Sequence, residues 1–165
     1  MPPNAPPVPR STGVTRSVVA VASDRARAAG ERPEAILSGI IHDLLELPDL
    51  VGDPGWDTFS AVVEVTDDSV AASAFRYEAD RPPTPTSVLR DLGAFRRLRD
   101  SMGTEAPEPW VVCIIRVHRD TARSTVNFVY PDAAALWRIT PATYRRIAEA
   151  LRPVDADFAS ADPSA

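Results

Sequence analysis

The chain contains no lysine and no glutamine, and it is poor in cysteine and histidine. All 18 of its basic residues are arginines, and its 165 residues include one cysteine and two histidines. A single cysteine cannot form an internal disulfide or a zinc site built from several cysteines, so domains stabilised in either of these ways are excluded. The exclusive use of arginine indicates the codon bias of a GC-rich bacterial genome rather than a functional signal.

Long hydrophobic runs are also missing. No stretch approaches the ~18 consecutive apolar residues of a membrane helix. The first 13 residues are rich in proline and polar residues, without the apolar segment of a signal peptide. We therefore expect a cytoplasmic protein without a membrane partner.

The charge of the chain is slightly acidic. The formal net charge is −5 at pH 7, and residues 153–165 hold three aspartates and no basic residue. The remainder is nearly balanced and lacks the basic stripe that nonspecific nucleic-acid binding requires. We therefore expect no nucleic-acid partner, whereas a basic protein partner is compatible with this charge.

Proline is abundant and unevenly placed. The chain has 17 prolines, well above the ~5% of an average sequence. They cluster in residues 2–9, 82–85 and 107–109, which indicates tails and loops because proline lacks an N–H donor and restricts φ. The sequence predicts a disordered tail over residues 1–13, one domain over 14–152 and a disordered acidic tail over 153–165.

Helical periodicity occurs in four segments. Ser11 or Thr12 is a candidate cap of the first segment, and Pro33 and Pro48 bracket the second. The first two segments are either separate helices or one kinked helix. The predicted helices cover about residues 11–30, 33–47, 86–102 and 140–151.

Strand-like alternation occurs in two pairs of segments. In the first strand, Phe59, Ala61, Val63 and Val65 fall on one face. The short links within each pair predict two antiparallel hairpins, with strands at about residues 56–66, 69–79, 110–118 and 124–130. We predict an α+β fold in which two hairpins, separated by a helix, form a four-stranded antiparallel sheet with helices packed mainly on one face.

The sequence offers few candidates for catalysis. His42-Asp43 resembles the adjacent pair of metal-dependent phosphohydrolases, but such sites need more histidines, and His118 is the second of only two. We prefer a solvated pair on a helix face. Glu64 and Glu78 are a possible acid–base dyad across the first hairpin.

Other catalytic signatures are weak or missing. Cys113 lies in an apolar strand, which favours a buried thiol over a nucleophile. The sequence contains neither a G-x-S-x-G elbow nor a Walker phosphate loop. The third predicted helix carries four arginines, Arg90, Arg96, Arg97 and Arg99. They could bind an anion, or they could form a solvated helix face whose charge is balanced by Asp91 and Asp100. We expect no enzyme activity, no cofactor and no bound metal.

Two loop regions are candidate partner-binding sites. Asp67 and Asp68 lie in the turn of the first hairpin, and Asp132 and Trp137 follow the last strand. Acidic side chains with an aromatic anchor suit a basic partner. The alternatives are that the two aspartates are turn formers and that Trp137 is buried against the sheet.

The aromatic strand ends resemble those of the YezG-like antitoxin or immunity family of bacterial toxin systems. The residues that carry the resemblance are the Trp56-led strand, Phe75-x-Tyr77, the helix over 86–102, the Trp110-led strand and Val126-x-Phe128-x-Tyr130-Pro131-Asp132. The family's last motif is aromatic-x-Tyr-Asp after a hairpin turn with Gly-Lys. Here Pro131 precedes the aspartate, and the turn reads Arg119-Asp120-Thr121.

Over residues 34–150, the resemblance implies a non-enzymatic cytoplasmic protein that binds and neutralises a cognate toxin, often a nuclease. It implies no catalytic residues. The alternative is a small-ligand-binding or regulatory domain with a pocket between helices and sheet, and a metal-dependent hydrolase is the least favoured interpretation.

Overall fold

The computed structural model describes residues 15–16, 32–52, 55–86, 91–102 and 108–158. The helices are α1 (Pro33–Leu45), α2 (Pro48–Val51), α3 (Gly93–Met102), α4 (Pro131–Ala134) and α5 (Tyr144–Ala150). The strands are β1 (Thr15–Arg16), β2 (Thr58–Val65), β3 (Val70–Tyr77), β4 (Thr84–Thr86), β5 (Val112–His118) and β6 (Ser124–Val129). Two 3-10 turns span Ala135–Trp137 and Asp155–Phe158. None of the described helices has the length and apolar character needed to cross a bilayer.

The strands form one open antiparallel sheet in the order β1-β6-β5-β2-β3-β4. The hairpins β2–β3 and β5–β6 are the two that the sequence predicts, and β5 pairs with β2 to join them. The predicted α+β class is therefore confirmed, but the number of strands is wrong. The edge strands β1 and β4 have two and three residues, too few to show the alternation by which a strand is recognised.

The helices α1, α2 and α3 cover one face of the sheet. The β2 side chains predicted to share a face, Phe59, Ala61, Val63 and Val65, all point to this side and are at most 1% exposed. They pack in one cluster with the apolar stripes of α1 and α3, which include Leu37, Ile40, Ile41, Leu44, Phe95 and Leu98. This cluster is the larger part of the core.

The remaining helices cover the opposite face, so the prediction that helices pack mainly on one face is wrong. Trp137 and the α5 residues Ile147 and Ala148 lie in a second buried cluster, with Leu151 just after the helix. Their partners in the sheet are Val62, Phe75, Tyr77, Val112, Ile114 and Val129. The physical reason is visible in β5, where four consecutive residues from Val112 are buried, because a strand covered on both faces is apolar on both.

Two buried hydroxyl groups attach α5 to this second face. Ser60 Oγ donates to the main-chain oxygen of Leu151 at 2.7 Å, and Tyr77 Oη donates to that of Ala148 at 2.7 Å. The last carbonyls of a helix have no donor within the helix. The sheet therefore supplies the donors that the C-terminal end of α5 lacks.

Several predicted boundaries differ from the structure. The first predicted helix lies outside the described residues except at Thr15–Arg16, which are strand β1. The second helix ends at Leu45, and α2 follows it. The third begins at Gly93, after β4 and a stretch outside the described residues.

The predicted tail from residue 153 is also wrong over its first part. Asp155–Phe158 form a 3-10 turn, and Phe158 is 9% exposed. The aspartates of this segment predict a solvated tail, but the Phe158 ring packs against His118 and Arg123 donates to the Phe158 oxygen. The packed body therefore extends to residue 158.

Candidate functional site

Three connections meet at one end of the sheet. Residues 66–69 link β2 to β3, and the antiparallel pairings place the start of β5 and the end of β6 at the same end. In register, Glu64 lies opposite Val112, and Val112 lies opposite Val129. Since adjacent strands are ~4.8 Å apart, the chain after β6 leaves the sheet about two strand spacings from the β2–β3 turn.

Each of these connections carries exposed carboxylates. Asp67, Asp68, Glu108 and Asp132 are all exposed, and we call this set the acidic end of the sheet. In the first turn, the amide of Thr66 donates to the Ser69 oxygen at 2.9 Å, and the amide of Ser69 donates to Thr66 Oγ1 at 3.1 Å. The two aspartates between them are thereby held outward, so their role as turn residues and their availability to a partner are compatible.

The sequence does not single out Glu108. It lies between two prolines in an irregular stretch, where no periodicity marks it. Its only signal is its position two residues before Trp110, the aromatic residue that leads into β5. The pairing of β5 is what places it at the same end of the sheet as the other three carboxylates.

Two arginines of α3 hold one of these acidic residues. Arg96 Nη1 donates to the main-chain oxygen of Asp67 at 2.9 Å, and Arg99 Nη1 lies 3.1 Å from Asp67 Oδ1. Arg99 Nε also donates to the Trp110 oxygen at 2.9 Å. Asp67 therefore has two bases beside it, whereas Asp68 makes no side-chain hydrogen bond within the described part of the chain.

The charge of the acidic end is still negative. It holds four carboxylates, and the two guanidinium groups that contact it, those of Arg96 and Arg99, both lie on Asp67. Glu64 does not add to the excess, because Arg138 Nε lies 3.6 Å from its Oε2 atom. The third α3 arginine, Arg97, pairs with Asp91 at 3.1 Å, as the balanced helix face predicts, and Arg90 lies outside the described residues.

Trp137 is buried and is not a surface anchor. Its side chain is 6% exposed and belongs to the second core cluster. The expected alternative, burial against the sheet, is the one that the structure shows. Its neighbour Leu136 is 39% exposed, so it is the apolar side chain of this turn that a partner can reach.

The structure does not assemble a metal site from the histidine candidates. His42 Nε2 lies 3.2 Å from Glu46 Oε1, one helical turn away, and Asp43 is exposed. Within the described ranges, no group of three or more His, Cys, Asp or Glu side chains could hold a metal ion. His42 and Asp43 are therefore a partly solvated pair on the outer face of α1.

The acid–base dyad is wrong. Glu64 lies opposite Ala71 in the register of the hairpin, and the strand from Ala71 to Glu78 is ~23 Å long. The carboxylate of Glu78 lies 2.9 Å from Arg81 instead. The two glutamates thus stand at opposite ends of the sheet.

Cys113 is a buried core thiol, as predicted. It is 0% exposed, and burial raises the pKa of the thiol far above its ordinary value. The thiolate, which is the nucleophilic form, is therefore disfavoured in the folded protein.

One open depression of about 460 Å³ lies on the second face, beside α5. It is lined by Ile139, Thr140, Pro141, Ala142, Tyr144 and Arg145. All six residues come from one short stretch of chain, whereas a ligand pocket is typically lined by polar groups that converge from several elements. This depression gives little support to a small-ligand function.

The geometry of the described residues thus gathers exposed carboxylates at one end of the sheet. The likeness to YezG-like antitoxins remains a prediction from the sequence. No model of a known protein family matches the chain, and no curated protein matches it either.

Proposed function

We propose that this chain is a non-enzymatic, toxin-neutralising protein of the immunity or antitoxin type, which blocks a basic intracellular toxin such as a nuclease. The observation that supports this proposal is the convergence of Asp67, Asp68, Glu108 and Asp132 at one end of the sheet. A nuclease presents a cationic surface shaped for phosphates. A rim of exposed carboxylates is complementary to such a surface.

The acidic end suits fast and specific association. Its carboxylates lie on connections at the ends of long paired strands, so little chain has to be ordered on binding. Arg96 and Arg99 hold Asp67 in place. Asp68 and Asp132 then remain to engage lysine and arginine side chains of the partner, and Leu136 supplies an apolar contact nearby.

The test uses a toxin protein that is first sought among the products of the reading frames flanking the gene for this chain. We expect Asp68→Arg combined with Asp132→Arg to slow association by about tenfold or more at low salt, because opposite charges steer the encounter. The difference should shrink in 0.5 M NaCl, since the Debye length is then only a few ångströms. Stopped-flow fluorescence gives the association rates, and a thermal melt verifies the fold.

The matched control reverses two exposed aspartates elsewhere. Asp43→Arg combined with Asp120→Arg makes the same change of net charge on α1 and in the β5–β6 turn, away from the acidic end. Equal slowing by both pairs would show that net charge matters and the acidic end does not. Asp67 is left unchanged because an arginine there would face Arg96 and Arg99 and disturb the fold.

A small-ligand-binding or regulatory domain is the second candidate function. The observation that favours it is a pair of buried polar atoms near the 3-10 turn Asp155–Phe158, namely His118 Nδ1 and Thr125 Oγ1. This pair lies at the opposite end of β5 from the acidic end.

A further inference from the structure

Polar side chains form a row across the second face of the sheet. Ser60 lies opposite Arg116, and Arg116 lies opposite Thr125, so these side chains of three adjacent strands point to the same side. His118 follows two residues after Arg116 on β5 and shares this face. We call Ser60, Arg116, His118 and Thr125 the polar row.

Two members of the polar row have buried polar atoms without partners. Thr125 Oγ1 and His118 Nδ1 form no hydrogen bond within the described part of the chain. Thr125 is only 3% exposed. A buried group left in this state is unfavourable, and in a native protein it requires an explanation such as a role in binding.

The polar row also contains a largely buried positive charge. The Arg116 side chain is 11% exposed, and its Nε atom lies 4.0 Å from Asp157 Oδ2. That separation is too long for a hydrogen bond. Asp157 is held in its own turn, since the Val154 amide donates to the same Oδ2 atom at 2.8 Å. The Asp157 carboxylate and the Arg116 guanidinium thus form a long ion pair.

Among the described residues, a short 3-10 turn lies over the Arg116 and His118 side chains. Asp155–Phe158 contacts β6, and the Phe158 ring packs edge-on against His118 with centroids 5.5 Å apart. Arg123 Nη1 donates to the Phe158 oxygen at 3.1 Å. A single 3-10 turn has few internal hydrogen bonds, so it can move while the sheet beneath it stays paired.

We propose that Arg116, His118 and Thr125 form a binding site for a small oxyanion, namely a carboxylate or phosphate group, and that Asp157 takes the place of this anion when the turn is closed. The guanidinium supplies charge and directed N–H groups. The Thr125 hydroxyl and the His118 Nδ1–H add two donors from the same face. Entry of a ligand lifts the turn and carries Asp157 away, so the bound anion and the closed turn exclude each other.

This site is independent of the acidic end and of the proposed toxin partner. The experiment titrates the full chain with inorganic phosphate and, separately, with acetate, at constant ionic strength. Amide NMR shifts report binding. We expect saturable shifts at residues 116–125 and 154–158, and none in the β2–β3 turn.

Two conservative variants of the site test the assignment. Asp157→Asn removes the internal carboxylate and should tighten anion binding about tenfold, while Thr125→Val removes one donor to the anion and should weaken it about tenfold. The valine replaces a buried hydroxyl that has no partner among the described residues, so this variant should fold at least as stably as the wild type. Asp155→Asn in the same turn and Arg145→Gln on the surface of α5 are the matched controls and should leave binding unchanged.

Saturable binding whose affinity changes in both variants supports the site. Tighter binding of phosphate or of acetate then identifies phosphate or carboxylate as the ligand class. The proposal is overturned if neither probe gives saturable shifts. It is also overturned if phosphate and acetate bind Thr125→Val and Asp157→Asn as tightly as the wild type.

Discussion

Removing the hydroxyl of Tyr77 should loosen α5 from the sheet. This group donates to the Ala148 oxygen at 2.7 Å, and the side chain is 2% exposed. Ala148 lies in the last turn of α5, where carbonyls lack donors from the helix. The amide of Arg152, which would reach Ala148 in a longer helix, donates to Glu149 instead. In Tyr77→Phe, the Ala148 oxygen is therefore a buried acceptor without a donor.

The expected loss of stability follows from that unsatisfied acceptor. A buried polar group left without its partner costs about 1–3 kcal/mol. We expect Tyr77→Phe to lower the free energy of unfolding by about 2 kcal/mol, or the Tm by about 4–8 °C for a chain of this size. Ser60→Ala removes the donor to Leu151 and should have a similar effect. Because both bonds hold the same helix end, the double variant should lose less than the sum of the two.

Urea unfolding measures the free energies, and hydrogen exchange of the α5 amides shows whether the helix opens locally. Tyr144→Phe is the matched control. Tyr144 packs edge-on against Phe75 with ring centroids 5.4 Å apart, and its hydroxyl bonds to no other described residue. We expect the control to change stability by less than about 0.5 kcal/mol. If Tyr77→Phe costs no more than Tyr144→Phe, or if exchange from α5 is unchanged, the hydroxyl does not hold the helix and the reasoning fails.

Three further predictions concern other parts of the fold. Burial raises the pKa of both Tyr77 and Cys113, so the folded state keeps these protons after the unfolded state has lost them. Stability should therefore fall above about pH 8.5 for the thiol and about pH 10 for the phenol. Cys113→Ala and Tyr77→Phe should each flatten this fall in urea titrations from pH 8 to 11, and unaltered slopes would contradict the assignment. Phe158→Ala should lower the free energy of unfolding by about 2–4 kcal/mol, because it removes a packed aromatic side chain. The control is Val154→Ala, at a side chain that is 42% exposed, which should change this free energy by less than about 0.5 kcal/mol. Equal effects of the two variants in denaturant unfolding would show that the 3-10 turn is not packed. Trp137→Ala should lower the free energy of unfolding by about 3–5 kcal/mol, because it leaves a cavity in the second core cluster. If the variant instead binds the toxin more weakly and a thermal melt shows no loss of stability, Trp137 acts as a surface anchor.

Much of the acidic end could be predicted from the sequence, but its electrostatics could not. Asp67, Asp68 and Asp132 stand in predicted loops, and loop residues lie at the surface. The loop prediction is wrong for Asp132, which lies in the short helix α4, but this residue is exposed as expected. The partner of Asp67 is Arg99, which is 32 residues away in the chain. Glu108 joins the set only through the pairing of β5 with its neighbours. Local composition indicates exposure, whereas the pairing of charges depends on which elements pack together.

By itself, the sequence determined the α+β class, both hairpins and the inward face of β2. Each of these features is a local period or a short link, and a single segment carries it in full. Only the tertiary structure decided that α5 lies on the opposite face from α1, that Phe158 is packed, and that Arg116 stands beside Thr125. An apolar stripe shows that a side chain is buried but not against which face of the sheet, and residues of different strands become neighbours only when the register of those strands is set.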